Sequence, residues 1–84
     1  MSAPWIRIRL FSAVSERIGR RELEFPFREG ITVGDLRAAL AERYPEAQDL
    51  WEISAFAVDE AYASDEDPVA PGALVAVIPP VSGG

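Results

Sequence analysis

One strongly marked helix constrains the fold of this chain more than any other feature of its sequence. Thr32 is a good N-cap, and Asp35 follows at the spacing of a capping box, in which each side chain accepts the other residue's backbone N–H. Ile31 and Leu36 occupy the two positions of a hydrophobic staple, and Pro45 predicts the end of the helix after about three turns. The helix has one apolar stripe, formed by Val33, Leu36 and Leu40 and flanked by Ala39 and Tyr44. Such a stripe packs against another element, and we expect that element to be a sheet.

Two segments before the helix alternate between apolar and polar residues, as strands with one buried face do. In residues 5–11 and 21–27 the alternating apolar residues are Ile6, Ile8 and Leu10, then Leu23, Phe25 and Phe27. Pro26 cannot donate a ladder hydrogen bond, so the second strand lies at an edge of the sheet or ends there. Residues 12–18 stop at Gly19 and predict one helical turn or an irregular crossing.

The second half of the chain predicts further strands. We expect a loop first, which contains Leu50, Trp51 and Ile53. Residues 54–58 and 61–64 then form two strands joined by a tight turn at residues 59–60. A reversal at residues 71–72 leads into residues 73–78, which are nearly all apolar, as in a strand buried on both faces. We therefore expect the last strand to be the central one.

The resulting order of strand, strand, helix and several strands is that of an α+β grasp fold. A chain of 84 residues supports one compact domain with a small core, in which we expect Phe56 and Val77. We predict a β-grasp domain over residues 1–78, with a mixed sheet of about five strands packed on one main helix. A flexible tail is expected over residues 79–84.

The absence of two residue types limits the possible chemistry. The chain has no Cys and no His, which excludes disulfides, thiol nucleophiles, imidazole bases and nearly every zinc or iron site. We therefore expect no self-contained catalytic centre. Asp65, Glu66 and Asp67 are consecutive acids followed by Pro68, and we interpret them as a solvated turn rather than a metal site.

The charge balance indicates which partners the chain suits. A net charge of -6 opposes binding to nucleic acid or to an anionic membrane, and favours a protein partner with a basic docking surface. All eight basic residues are Arg, so no side-chain amine can accept an acyl group from another copy. We see no export signal at the start and no apolar run long enough to span a bilayer, so a cytoplasmic location is expected.

The last six residues, Pro79, Pro80, Val81, Ser82, Gly83 and Gly84, are the strongest candidates for function. The two prolines end the sheet and favour an extended backbone, which lowers the cost of ordering the tail in a channel. The extended tail can reach roughly 20 Å from the domain. Gly83 and Gly84 allow close approach of the backbone and leave the terminal carboxyl unhindered. From the double glycine alone, an ordinary frayed end remains an equal alternative.

The tail and several upstream motifs resemble the MoaD family of ubiquitin-like sulfur carriers, the small subunits of molybdopterin synthase. The resemblance covers essentially the whole chain, and its most specific part is the tail at residues 78–84. The other similar motifs are Leu10-Phe11-Ser12-Ala13 after the first strand, Thr32-Val33-Gly34-Asp35-Leu36 at the start of the helix, and Ala57-Val58 before the hairpin.

The resemblance implies a function for Gly84 and a set of partners. An ATP- and magnesium-dependent activating enzyme would adenylate the Gly84 carboxylate, and a sulfurtransferase would supply the sulfur that converts it to a thiocarboxylate. The tail would then enter the large catalytic subunit, in a heterotetramer, and pass sulfur to cyclic pyranopterin monophosphate during molybdenum cofactor biosynthesis. The chain itself would bind no cofactor and no metal, and would act as a non-catalytic sulfur donor.

Strand parity and the family arrangement together suggest a partner interface at Phe11, Tyr62 and Ile78, on the sheet face away from the helix. The alternative is that these residues simply cover the sheet. Three other functions also remain open: a sulfur carrier for thiamine or transfer RNA thiolation, a ubiquitin-like protein modifier, and a non-catalytic interaction domain. The stretch at residues 79–82 favours the pterin pathway over the other sulfur carriers.

Overall fold

A computed structural model describes residues 4–80 of the chain, which form one five-stranded sheet with its helices. The elements in chain order are β1 (Trp5–Leu10), α1 (Ser12–Ile18), β2 (Glu22–Pro26), α2 (Val33–Arg43), a 3-10 turn (Pro45–Ala47), α3 (Gln48–Ile53), β3 (Ala55–Val58), β4 (Ala61–Ala63) and β5 (Leu74–Ile78). The strand order is β2-β1-β5-β3-β4, with β1 and β5 parallel and the other neighbours antiparallel. The last strand is therefore the central one, as predicted.

The core lies between one face of the sheet and α2. Alternate residues of the strands are buried on this face, and the apolar stripe of α2 is fully buried against them. The principal members are Ile6, Ile8, Leu10, Val75, Val77 and Phe56 from the sheet, with Val33, Leu36 and Leu40 from the helix. The expected core positions of Phe56 and Val77 are confirmed.

The start of α2 follows the sequence prediction closely. The Thr32 hydroxyl oxygen accepts a hydrogen bond from the Asp35 backbone N–H at 3.1 Å. The Asp35 carboxylate accepts one from the Thr32 backbone N–H at the same distance, which completes the capping box. The helix ends at Arg43, and Pro45 begins the following 3-10 turn.

Two segments contain more helix than the sequence predicted. Residues 12–18 form a seven-residue helix, capped by Gly19 in the left-handed conformation at φ 82°. The expected loop at Leu50, Trp51 and Ile53 is wrong, because these residues belong to α3. Leu50 and Trp51 are buried, and the Trp51 indole N–H donates to the Tyr44 carbonyl oxygen at 2.9 Å. Tertiary packing thus stabilises a short helix that has no side-chain cap of its own.

The prediction that the last strand is buried on both faces is also wrong. Val75 and Val77 are buried, whereas Leu74, Ala76 and Ile78 on the other face are only half-buried. The outer face of the sheet, opposite α2, has no helix packed on it along the described chain. The apolar run of this strand therefore reflects a central position combined with one open apolar face. No helix within residues 4–80 is both long and apolar enough to cross a membrane.

Candidate functional site

The end of β5 determines where the tail leaves the domain. Val77 is paired with Leu10 of β1, and Ile78 is paired with Ala55 of β3, so the chain leaves the sheet between these two strands. Pro79 is buried and Pro80 is exposed. The buried Pro79 ring, which has no N–H for the ladder, ends the pairing and fixes the direction of the chain at this point. The predicted site residues Val81, Ser82, Gly83 and Gly84 lie outside the described residues.

The three predicted interface residues all lie on the outer side of the sheet. Phe11 follows β1 with an extended backbone and is 41% exposed. Ile78, at the end of β5, is half-buried. Tyr62 is 75% exposed and lies on β4, opposite Ala57 of the intervening strand β3. The structure thus brings Phe11 and Ile78 together at the tail exit, while Tyr62 lies two strands away from Ile78.

The outer face divides into a charged half and an apolar half. On β1 and β2, Arg7 and Arg9 are paired with Glu24 and Glu22, and the Arg9 and Glu22 side chains form an ion pair at 3.4 Å. On β5, β3 and β4 the outward positions are apolar, namely Leu74, Ala76, Ile78, Ala55, Ala57 and Tyr62. A protein that binds the apolar half would therefore lie next to the tail exit.

One exposed apolar residue was not predicted from the sequence. Ile53 is the last residue of α3 and is 59% exposed. It precedes Ala55, the partner of Ile78, by two residues, so it lies just before the start of β3. Residues 48–53 have no local helix signal, and without the helix the burial of Leu50 and Trp51 and the exposure of Ile53 could not be predicted.

Arg37 of α2 holds the end of α3 in place through side-chain hydrogen bonds. Its guanidinium donates to the backbone carbonyls of Trp51 and Ser54, the second at 2.9 Å, and lies over the Phe56 ring at 4.5 Å from the centroid. It also donates to the Asp65 carboxylate at 3.1 Å. Since Ile53 lies between Trp51 and Ser54, Arg37 fixes the end of α3 relative to the sheet.

The acidic turn at residues 65–67 is exposed, as predicted, and it also has a structural role. The Asp65 carbonyl oxygen accepts a hydrogen bond from the Gly34 N–H at 2.8 Å, and the Asp67 carbonyl oxygen accepts one from the Val33 N–H at 2.9 Å. A Cβ on Gly34 would lie 3.1 Å from the Asp65 Cβ, which explains the glycine in the first turn of α2. Across the described residues, no three carboxylates are arranged to hold a metal ion.

A mixed sheet of order β2-β1-β5-β3-β4, with its main helix packed on one face, defines a ubiquitin-like β-grasp protein. Sequence comparison then assigns the family. The chain belongs to the ThiS family, whose model matches residues 8–84.

Individual relatives agree with this assignment. The chain is 32% identical over 81 residues to the molybdopterin synthase sulfur carrier subunit of Caenorhabditis elegans, covering 94% of this chain and 96% of the relative. Among solved structures, it is similar to the small archaeal modifier protein 1 of Haloferax volcanii, with a TM-score of 0.84 and 25% identity over 95% and 99% of the two chains. It also shares its fold with a chain in the complex of subunits 1 and 2 of the molybdopterin-converting factor from Helicobacter pylori, with a TM-score of 0.69, 20% identity and coverage of 95% and 99%.

Proposed function

We propose that this chain is the sulfur-carrier subunit of a molybdopterin synthase, and that Gly84 carries the sulfur as a thiocarboxylate. One observation carries the proposal: the match to the family extends through the last residue, Gly84, so the tail is part of the similarity. The nearly full-length likeness to a molybdopterin synthase sulfur carrier subunit supports the pterin pathway. The domain would then present the tail, which continues directly from the end of β5.

Activation of Gly84 is the first step of the proposed chemistry. A carboxylate is a poor electrophile, because its negative charge is delocalised and its leaving group would be oxide. The Gly84 carboxylate would therefore attack the α-phosphorus of ATP, release pyrophosphate and form an acyl-adenylate. We assign this step to a separate activating enzyme that uses ATP and magnesium, as the resemblance to the sulfur carriers implies, because the net charge of -6 on this chain opposes binding of the ATP phosphates.

Sulfur enters in the second step. The terminal sulfur of a persulfide on a sulfurtransferase would attack the Gly84 acyl carbon and displace AMP. A thiol would then reduce the S–S bond that joins Gly84 to the donor. This leaves the thiocarboxylate on this chain and a disulfide between the thiol and the donor. The thiocarboxylate sulfur is more nucleophilic than a carboxylate oxygen, so it can attack a carbon of cyclic pyranopterin monophosphate.

The catalytic groups for that transfer would lie in the large subunit. Pro79 and Pro80 would direct Val81, Ser82 and Gly83 into its channel, and Phe11, Tyr62 and Ile78 would contact its surface. A likeness in fold to a chain solved in complex with a second subunit of a molybdopterin-converting factor supports this arrangement. We propose a heterotetramer of two carriers and two large subunits in the cytoplasm, with the carrier acting as a co-substrate and not as an enzyme.

Intact mass spectrometry tests the proposal directly. The chain purified from its own host should contain a fraction whose mass exceeds the sequence mass by the difference between one sulfur and one oxygen atom, located at Gly84. A chain without Gly84, expressed in the same way, should lack that fraction and should not support pterin conversion by the large subunit. Equal pterin conversion by the shortened chain would disprove the role of Gly84. A thiocarboxylate without pterin conversion would instead indicate a sulfur carrier for thiamine or transfer RNA.

A protein modifier is the second candidate, favoured by the likeness to an archaeal modifier protein. It would use the same activated Gly84 but join it to a lysine amine on a target protein. Denaturing gels of host extract, probed for this chain, distinguish the two functions. A ladder of covalent adducts that depends on Gly84 would favour the modifier, whereas a single band would favour the carrier.

A further inference from the structure

We propose that residues 81–84 turn back, while the carrier is free, into an open cavity beside the end of β1. There the Arg21 guanidinium forms an ion pair with the terminal carboxylate of Gly84, or with the thiocarboxylate once sulfur has been added. This inference rests on the proposed function and adds to it the place where the reactive group is held between partners. The contact joins the chain to its own terminus, and no second protein takes part.

The cavity lies at the same end of the sheet as the tail exit. It has a volume of about 660 Å³. Its lining includes an aromatic ring, two hydroxyls and a guanidinium, from Phe11, Ser12, Ser15 and Arg21. The Leu10 N–H donates to the Arg21 carbonyl oxygen at 2.8 Å, and Leu10 is paired with Val77 of β5. Arg21 is therefore level with the end of β5, with β1 between them.

Arg21 brings to the cavity a guanidinium that has no ion-pair partner within residues 4–80. The ion pairs of this part of the chain belong to other arginines, namely Arg9, Arg17 and Arg37. Arg9 also lines the cavity, but it is paired with Glu22 at 3.4 Å. Glu16 lines the cavity from α1 and lies beyond ion-pair distance of Arg21. An anion that enters the cavity can therefore pair with Arg21, and the two lining hydroxyls can donate hydrogen bonds to it.

The tail is long enough to reach Arg21. Four residues follow Pro80, and they span at most about 14 Å when extended. Neighbouring strands lie about 4.8 Å apart, so Arg21, just before β2, is roughly 10 Å across the sheet from β5. One turn over the end of β1 brings the terminus to the cavity, and Gly83 and Gly84 permit such a turn without a clash of side chains.

The distribution of charge favours this side of the exit over the other. Residues 5–26, which contain β1, α1 and β2, have five Arg and three Glu. Residues 44–80, which contain α3, β3, β4 and β5, have eight acidic residues and no basic one. A terminal carboxylate at the end of β5 is therefore repelled from the β3 side and attracted towards β1 and β2.

Such a contact suits a carrier that must deliver a reactive atom only to its partner. An exposed ion pair is weak, so the tail leaves the cavity readily when the channel of a partner binds it. While the tail is docked, the terminal sulfur is less accessible to oxidants and alkylating agents in solution. The cavity and the partner's channel thus compete for the same four residues.

Nuclear magnetic resonance of the complete chain locates the contact. We would compare the backbone amide resonances of the chain with those of the same chain amidated at Gly84, at neutral pH. Loss of the terminal charge should shift the resonances of Ser12, Ser15 and Arg21 and should leave that of Arg28, beyond the far end of β2, unchanged. Unmoved cavity resonances would overturn the proposal. Shifts caused by added acetate, and not by the chain's own terminus, would overturn it in favour of a site for free anions.

Alkylation of the terminal sulfur measures the consequence of docking. Sulfide cleavage of an intein thioester provides the Gly84 thiocarboxylate, whose sulfur displaces iodide from iodoacetamide. This reagent is uncharged, so a changed protein charge does not steer its approach. We expect Arg21→Gln to react about twofold faster than the unaltered chain, and Arg21→Lys, which keeps the charge, to stay within about 1.5-fold of it. Arg28→Gln removes the same charge at another exposed position and should react at the unaltered rate.

Thermal unfolding would verify that each variant is folded. Equal rates for Arg21→Gln and the unaltered chain would overturn the proposal. Equal acceleration by Arg28→Gln would also overturn it, because net charge and not a specific contact would then be responsible. Both tests use a purified chain with a chemically prepared terminus, so they can fail while the mass measurement on the host's protein succeeds. Absence of sulfur from Gly84 in the host would instead disprove the proposed function.

Discussion

At the scale of single residues, Arg37 connects parts of the fold that are distant in sequence. From α2 it contacts the end of α3, the Phe56 ring on β3 and the Asp65 carboxylate in the acidic turn. Its side chain is largely buried, at 21% exposure, and no shorter residue could reach all of these groups. A planar guanidinium can donate in several directions at once, which a lysine ammonium cannot do with the same geometry.

We predict that Arg37→Leu lowers the free energy of unfolding by about 2 kcal/mol, because the carbonyls of Trp51 and Ser54 lose their donor and Phe56 loses its cation. Arg37→Lys should recover part of this loss. Urea unfolding followed by circular dichroism measures both changes. Arg20→Leu, at an exposed position, is the control and should change the stability by less than about 0.5 kcal/mol. Equal stabilities of Arg37→Leu and the unaltered chain would refute the connecting role.

At the scale of elements, the turn between β3 and β4 has an unusual backbone. Asp59 and Glu60 both have positive φ, at 48° and 74°, which is the pattern of a two-residue hairpin turn. Asp59 suits this conformation, and its carboxylate also accepts a hydrogen bond from the Leu74 N–H at 3.1 Å. At Glu60 the left-handed conformation is unfavourable, because the Cβ atom lies too close to the backbone carbonyl oxygen.

Glu60→Gly should therefore stabilise the chain by about 0.5 kcal/mol, the net of relieved left-handed strain and the greater freedom of glycine in the unfolded state. Thermal unfolding should show a higher midpoint for this variant. Glu66→Gly removes the same charge from another exposed turn, where φ is not positive, and should lower the midpoint. A lower midpoint for both variants would show that strain at Glu60 is not significant.

The elements predicted correctly from sequence are those that have local signals. Thr32, Asp35 and Leu36 specified the start of α2, and the alternation of Ile6, Ile8 and Leu10 specified β1. α3 was missed because it has only six residues and no side-chain cap, and is stabilised by burial of Leu50 and Trp51.

In the candidate site too, only the residues with a local sequence pattern could be placed from the sequence. Parity along the first strand was enough to place Phe11 on the outer side of the sheet, whereas the position of Ile78 was suggested by the family arrangement. The position of Ile53 depends on α3 and on contacts from Arg37, which are distant in sequence and have no local pattern. Its exposure at the end of α3 could be recognised only from the packed structure.

At the scale of the whole molecule, the central strand is also the last element of the described chain. We predict that a chain ending at Ala73, which lacks β5, will not unfold cooperatively, because β1 and β3 then have no shared neighbour. A chain ending at Pro80 retains every described element and should show one cooperative thermal transition by circular dichroism. A cooperative transition in the shorter chain would show that the remaining strands can form a sheet alone.

The position of β5 has a consequence for synthesis in the cell. Translation proceeds from the N-terminus, so the strand that joins the two halves of the sheet is the last to be made. We expect a chain interrupted before this strand to lack a folded sheet and to be readily cleaved by proteases. Because β1 and β3 are joined only through β5, we expect binding partners to meet a completed sheet only after this strand has been made.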